Sequence, residues 1–352
     1  MKTGVLLMNT GTADEPTIPA IRTYLYEFLM DPAIIGAPEF IRKRIVNHIV
    51  RNRPQRTVKN YEAFWTPEGS PFVLGCYKQA KALKAELESR GDEMEVAVVM
   101  RYGSPSVLDG LHELRVAGCE RVVVLPSYPQ QVNVCAGTCF KKVREVLAKI
   151  GESYGWKPEL VEVPYFYDQH AYRLALAKQV ASCWRYSESS RLVVSFHSTL
   201  LADIEAGDPY KDQTEMTAAA LAADLRIPAE AVSVSYQSRF DSRKWLQPLT
   251  EPSVLKIAES GVKDVCVVCP GFTVDNMETV LEVSRDLRKT YMDAAGREAN
   301  FTYVPALCDD KGLVAAMADA IGKALNGGFE AERESSGRSA DTSIPRMLKR
   351  CS

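Results

Sequence analysis

Eight apolar, strand-like runs recur along this chain with helix-like stretches between most of them, and this alternation limits the fold more than any other feature. The runs fall at 4–8, 94–101, 121–126, 158–165, 192–197, 232–237, 264–270 and 300–306; helical periodicity occupies 79–90, 108–117, 140–150, 171–184, 213–225 and 275–289. Strands alternating with helices predict α/β architecture, with parallel sheets flanked by helices and joined by right-handed crossovers. At 352 residues there is room for two such units.

A weak internal repeat points the same way. Pro105-Ser106-Val107-Leu108 leads through a helix to Gly118 and a strand ending in Pro126. Pro252-Ser253-Val254-Leu255 leads through a shorter helix to Gly261 and a strand ending in Pro270. The match predicts a duplicated unit: an N-terminal α/β lobe over 1–160 and a C-terminal α/β lobe over 161–325, both Rossmann-like, with a cleft between them. The polar tail over 326–352, which includes Cys351, is too poor in apolar residues to fold alone and is expected to be disordered.

Bulk composition removes several classes. A net charge of −2 argues against a nucleic-acid binder. No apolar run approaches the roughly 20 residues that span a bilayer, and the opening Met1-Lys2-Thr3-Gly4-Val5 reads as a first strand rather than a signal peptide, so a cytoplasmic location is expected. Nine scattered cysteines fit reduced thiols better than a disulfide framework. Cys266 and Cys269 have metal-knuckle spacing, but no second pair completes them, and the same holds for Cys135 and Cys139; all four read as core cysteines. The apolar segment 28–38 precedes a stretch, 40–51, with one apolar and one basic face. Ordinary packing explains it; a greasy lip beside a pocket, or a peripheral contact with the inner face of a membrane, is the alternative.

The chemistry concentrates at strand ends. His197, one of four histidines, closes the run Val193-Val194-Ser195-Phe196 and is followed by polar loop. Ligands of open parallel sheets bind beyond the carboxyl ends of the strands, so an imidazole there is placed to accept a proton or to ligate a borderline metal such as ferrous iron. A histidine satisfied within the core is the plainer reading. A second strand end, Pro270-Gly271-Phe272, runs into a helix carrying Asp275, Glu278, Glu282 and Asp286 at three- and four-residue spacing, hence on one α-helical face. Such a stripe is either a solvated surface or a path for protons or a divalent cation whose mutual repulsion raises a carboxylate pKa. Arginine and aromatics at further strand ends, Arg101-Tyr102, Tyr128 and Trp245, suit a flat, aromatic ligand bearing carboxylates. Asn9-Thr10-Gly11-Thr12 supplies one glycine where a dinucleotide loop needs three, and no phosphate-binding loop or nucleophile elbow is present.

Taken in order, Leu7-x-Asn9-x-Gly11-Thr12, Gly69-Ser70-Pro71, Arg101-Tyr102-Gly103, Tyr128-Pro129-Gln130, Ser195-x-His197, Gly207-Asp208-Pro209-Tyr210, Gln237-Ser238-Arg239-Phe240 with Trp245-Leu246-x-Pro248, and Pro270-Gly271-Phe272-x-x-Asp275-x-x-Glu278-Thr279 resemble the ferrochelatase family over about residues 5–321. The last motif looks most like the Gram-negative bacterial branch. The resemblance implies a chelatase-like pair of lobes and a lyase that inserts Fe2+ into protoporphyrin IX to form protohaem, the last step of haem biosynthesis. Iron is then a substrate and no cofactor is required. His197 and Glu278 would be the catalytic, metal-handling pair. Asp275, Glu282 and Asp286 would pass ions or protons, and Thr10, Arg101, Tyr102, Tyr128 and Trp245 would line the porphyrin pocket. Three positions depart from the family pattern: Gln131-Val132 after Tyr-Pro-Gln, Thr10 at the pocket wall, and no proline after His197. They leave open a coproporphyrin ferrochelatase, a chelatase for another metal, or a non-catalytic porphyrin carrier. Some relatives hold a [2Fe–2S] cluster through C-terminal cysteines; with Cys351 alone in the tail, no cluster is expected. Oligomeric state is not legible.

Overall fold

The computed structural model of the protein describes residues 1–239 and 241–335. In chain order the first half comprises β1 (Thr3–Asn9), α1 (Ile18–Leu29), α2 (Glu39–Phe64), α3 (Pro71–Ser89), β2 (Met94–Met100), α4 (Val107–Val116), β3 (Arg121–Pro126), a π-helical turn (Asn133–Gly137), α5 (Thr138–Tyr154) and β4 (Glu159–Glu162). The second comprises α6 (His170–Cys183), β5 (Ser190–His197), α7 (Leu201–Glu205), α8 (Tyr210–Leu225), β6 (Val232–Gln237), α9 (Thr250–Glu259), β7 (Asp264–Val268), a π-helix (Glu278–Leu287), α10 (Arg288–Ala295), β8 (Asn300–Val304), α11 (Lys311–Leu325) and α12 (Gly328–Ser335).

Every one of the eight apolar runs contains a strand. They form two four-stranded sheets ordered β2-β1-β3-β4 and β6-β5-β7-β8, parallel throughout. The sheets are the same arrangement built twice. In each, the first strand of the half lies inside and the second at an edge. Parallel strands covered on both faces must be apolar along their whole length rather than alternately, and all seven residues of β1 are buried.

The repeat is real at this level, but its frame differs from the sequence expectation. α4 and α9 are both ten residues long, and Gly118 and Gly261, both in the left-handed region, follow at the same offset. Pro105-Ser106 precedes α4, whose N-terminus Ser106 caps in a reciprocal box with Asp109. Pro252-Ser253 instead lies inside α9. Aligning the two Pro-Ser-Val-Leu strings shifts the frame by four residues and therefore created the apparent deletion.

One apolar cluster spans both halves. Val5, Leu7, Val123 and Leu125 of the first sheet and Leu192, Val194, Cys266 and Val268 of the second belong to it, together with residues of α3, α6 and α11. The chain achieves this by sending α11 back against α3 and α6. Gly75 of α3 makes the approach close enough: a Cβ there would stand 2.3 Å from Val274 Cγ1, just beyond β7. Cys266 and Cys269 are buried in core clusters, as is Cys139.

The expected tail disorder fails over 328–335, which form α12. Phe329 is buried against Tyr165 with ring centroids 5.0 Å apart, and Lys323 lies 4.4 Å above its ring while pairing with Glu332 at 2.7 Å. A single aromatic anchor thus orders a segment whose average composition is too polar to do so. The remaining expectation of disorder, over 336–352 with Cys351, lies outside the described residues. Phe329→Ala should lower the unfolding free energy by about 3 kcal/mol, the usual loss for a buried phenylalanine. Urea titration measures this; a change within error would mean that α12 is not docked in solution.

Candidate active site at the carboxyl ends of the strands

The two sheets confront one another at the carboxyl ends of equivalent strands. Just past β3, Ser127 Oγ donates to Gln79 Oε1 (2.6 Å); just past β7, Thr273 Oγ1 donates to the Ser127 carbonyl (3.0 Å). Gln130 Nε2 donates to Thr217 Oγ1 (3.0 Å), and the Gln131 N–H to Gln213 Oε1 (2.7 Å). Buried polar groups are thereby satisfied across the seam. The unusual Gln131 serves this seam through its backbone.

His197 is the last residue of β5. Its ladder with β7 stops at Val194–Val268, whereas the ladder with β6 continues to His197–Gln237. One side of the strand end is therefore open, and Phe272 stands there edge-on to the imidazole, centroids 6.5 Å apart. His197 Nδ1 lies 2.7 Å from the Ser198 carbonyl oxygen. A carbonyl only accepts, so Nδ1 carries the proton and Nε2 keeps its lone pair for a metal ion or proton.

The acidic stripe is rearranged. The segment expected to be α-helical over 275–289 is π-helical from Glu278 to Leu287, with wider i→i+5 turns that an apolar period of 3.6 does not reveal. Asp275 precedes this helix. Its carboxylate accepts from Thr279 Oγ1 (2.9 Å), from the Tyr303 hydroxyl and from the Ala306 N–H (3.3 Å), so it anchors loops. Asp286 is exposed and bound by Arg285 at 2.7 Å, which holds its carboxyl below the ordinary range. Glu278 and Glu282 remain. Glu282 reaches solvent, yet desolvation and the nearby charge of Glu278 raise its pKa, while the Ser238 hydroxyl (2.6 Å) and His197 draw it back. His197, Glu282 and Glu278 are thus brought into one electrostatic neighbourhood. Glu278 also faces the first half: its charge adds to the burial that raises the Tyr24 and Tyr61 hydroxyl pKa values, that of Tyr61 to about 12.

The expected pocket residues divide into two groups. Thr10 and Tyr128, past β1 and β3, touch through their hydroxyls at 2.5 Å. Gly11 turns the Thr10 loop with φ 100°, where a Cβ would strike the Tyr102 carbonyl oxygen, and Tyr24 holds that loop by donating to the Gly11 carbonyl (3.1 Å). Trp245 is half-buried, donates to Asp241 (3.0 Å) and lies under Arg243, which reaches the Ile34 carbonyl of the first half (3.3 Å). Arg101 and Tyr102 differ from this pattern. Both bond Asp31, Tyr102 at 3.0 Å, and Tyr102 is buried against Phe28. Arg101 borders an outer cavity of about 460 Å3 with Lys141 and Lys142 of α5. The free guanidinium expected from the Arg-Tyr pair is neutralised by an acid some seventy positions earlier, a pairing no local pattern signals.

In the sequence Asp208 stands out only as part of the Gly-Asp-Pro-Tyr motif. It is buried, accepts from the Asn133 N–H (2.7 Å) and the Tyr210 N–H (3.0 Å), and burial pushes its carboxyl from 3.8 up to about 6. Among the described residues, no group of three or more His, Cys, Asp or Glu is arranged to hold a metal ion.

Comparison with known proteins decides the family. The Ferrochelatase family profile matches residues 2–325. The chain belongs to the ferrochelatase family. Ferrochelatases of Polaromonas sp. (strain JS666), Herminiimonas arsenicoxydans and Nitrosococcus oceani are 38%, 40% and 36% identical to it, over 92%, 90% and 98% of this chain and 88%, 85% and 94% of theirs. They favour the ferrochelatase reading over a chelatase for another metal or a carrier. The fold is also that of SirB from Bacillus subtilis with Fe3+ (TM-score 0.53, 11% identity, 94% of this chain and 98% of that one). It is similar to the cobalt complex of the sirohydrochlorin chelatase SirB from Bacillus subtilis subspecies spizizenii as well (TM-score 0.54, 10% identity, 94% and 98%).

Asp208 gives a pH test. Between about pH 4 and 6 the native carboxyl retains a proton that the unfolded chain has released, so this group's contribution to stability falls as pH rises through that window. Urea midpoints of the wild type minus those of Asp208→Asn should decline from pH 4 to 6 and level off above it. A difference independent of pH would show that the carboxyl is not shifted.

Proposed function

We propose that this member of the ferrochelatase family inserts Fe2+ into protoporphyrin IX, a lyase reaction that forms protohaem, with His197 and Glu278 as the metal- and proton-handling pair. The observation that supports the assignment of roles is that Glu282 feels the charges of both Glu278 and His197 beyond the carboxyl ends of β5 and β7, while His197 Nδ1 is occupied by a carbonyl and leaves Nε2 free. Insertion must exchange two pyrrole N–H protons for one divalent ion. Neutral imidazole accepts a proton or ligates iron through Nε2. Glu278 and Glu282, two like charges of which one has a raised pKa, can share a proton or a cation between them. Thr10, Tyr128 and Trp245 supply a hydroxyl-bearing, aromatic wall for a flat macrocycle. We assign Arg101 to supporting that wall through Asp31 rather than to gripping a propionate, because its charge is already paired.

Anaerobic insertion of ferrous iron into protoporphyrin IX, run beside coproporphyrin III, tests the assignment. His197→Ala and Glu278→Ala should each lower kcat at least 100-fold with protoporphyrin, a typical scale for losing a group that handles a reacting proton. Near-normal turnover in either variant removes that residue from the pair; turnover with coproporphyrin alone changes the substrate.

The membrane reading also has support. Phe40, Ile41 and Ile45 on the first turns of α2 are 70%, 40% and 40% exposed, beside Lys43, Arg44 and Arg51. No helix among the described residues is long and apolar enough to cross a membrane. An apolar edge ringed by basic residues matches an anionic lipid surface. Phe40→Ser with Ile41→Ser should reduce co-sedimentation with phosphatidylglycerol vesicles at least fivefold. No wild-type binding, or equal binding to phosphatidylcholine, would reject the contact.

A further inference from the structure

We infer that Asp208 and Tyr210 are positioning residues that tie the metal-handling histidine at the end of β5 to the opposite half of the molecule. The inference rests on the reading of His197 given above. The chain of bonds is short. Asn133, in the π-helical turn that follows Tyr128-Pro129-Gln130, donates its N–H to Asp208 Oδ2 at 2.7 Å. Asp208 Oδ1 accepts the N–H of Tyr210 at 3.0 Å, at the start of α8. The Tyr210 hydroxyl then donates to the carbonyl oxygen of His197 at 3.0 Å. His197 Nδ1 in turn is bound to the next carbonyl, that of Ser198. The His197–Ser198 peptide plane is therefore held at both of its polar atoms: the Tyr210 hydroxyl donates to its carbonyl oxygen, and its N–H, that of Ser198, donates to the Gln237 carbonyl at 2.8 Å. Orientation of a ligating imidazole is set by the hydrogen bond at its other nitrogen, and the held peptide is the one that joins the His197 backbone to the residue whose carbonyl accepts from Nδ1, so fixing it limits where Nε2 points.

Stability alone is a poor account of this arrangement. The groups facing Asp208 are Asp203 of α7, Cys135 of the π-helical turn and the Tyr210 ring, an acid and two weak acids. No cation among them offsets the desolvation of the carboxylate, whose charge is met by two peptide N–H groups from different halves of the molecule. A carboxylate accepts from both at once. An amide of the same shape must turn its NH2 toward one of them. Tyr210 is also buried, and the ideal Cβ position of Gly271, beyond β7, lies 3.8 Å from its hydroxyl. The phenol therefore sits where the Tyr128 loop, the end of β5 and the end of β7 converge. A shift of the halves relative to one another is transmitted through it to His197, and positional errors of this kind are expensive in catalysis.

The test uses the full-length protein with Tyr210→Phe and Asp208→Asn. Tyr210→Phe keeps the buried ring and removes one hydrogen bond. The expected result is a fall in kcat of about tenfold in both variants, with protoporphyrin binding, read by tryptophan fluorescence quenching, within twofold of wild type. Imidazole 15N spectra should shift for His197 and remain unchanged for His48, His112 and His170, which a merely destabilised fold would not achieve. Wild-type kcat with an unmoved His197 signal in Tyr210→Phe overturns the inference. So does loss of porphyrin binding in proportion to kcat, or movement of all four histidine signals. His197→Ala separates the two readings: activity surviving in that variant rejects the role of His197 itself, whereas activity lost there and intact in Tyr210→Phe rejects only the positioning.

Discussion

The contact on which the rest of this molecule depends joins Ser127 to Thr273. Each stands just past the third strand of its own sheet, and their hydroxyl oxygens lie 2.7 Å apart in a buried seam. Parallel strands put their reactive loops at their carboxyl ends. Placing the two sets of ends mouth to mouth brings residues of both halves together, Ser127 beside Thr273 and Asn133 beside Asp208. The seam is polar and hydrogen-bonded, so it favours a single register between the halves where an apolar contact could slide. Beneath it, the apolar cluster shared through α3, α6 and α11 prevents the halves from behaving as separate bodies.

Electrostatics at the strand ends follow from which charges have been neutralised elsewhere. Asp275 is occupied by three donors, Asp286 by Arg285, and Arg101 by Asp31. On the proposed reading, the groups left to react are His197, Glu278 and Glu282. Two neighbouring carboxylates would attract a divalent cation, and desolvation together with the charge of Glu278 raises the proton affinity of Glu282. The buried hydroxyls of Tyr24 and Tyr61 stay protonated beside Glu278 and give its surroundings polarity without further charge.

Much of this was legible in the chain. Strand positions could be read because a doubly covered parallel strand is apolar throughout, and His197 was conspicuous because it ends such a run. Glu278 could be read because it opens the segment after β7. The order of motifs from Asn9 to Thr279 identified the family that the matching profile and relatives bear out. Other features had no local signal. α2 carries Pro54 inside 26 residues and a weak apolar stripe, and its helical course depends on packing by Val46, Val50 and Tyr61. The docking of α12 hangs on one phenylalanine in a polar stretch, which an average over composition hides.

The sequence by itself determined the element types, the doubling of the α/β unit and the residues able to handle a metal ion or a proton, because periodicity and side-chain chemistry are properties of neighbouring positions. Only the tertiary structure decided which of those residues are free to react. Arg101 bonds Asp31 and Asp208 bonds Asn133 across 70 and 75 positions of chain, and Glu282 feels the charge of His197 across 85. The winding of the helix that carries Glu278 was likewise settled by packing, since i→i+4 and i→i+5 hydrogen bonds use the same backbone groups and differ little in local pattern. Pairings at such separations depend on how the two sheets are set against each other, and that is a property of the folded core.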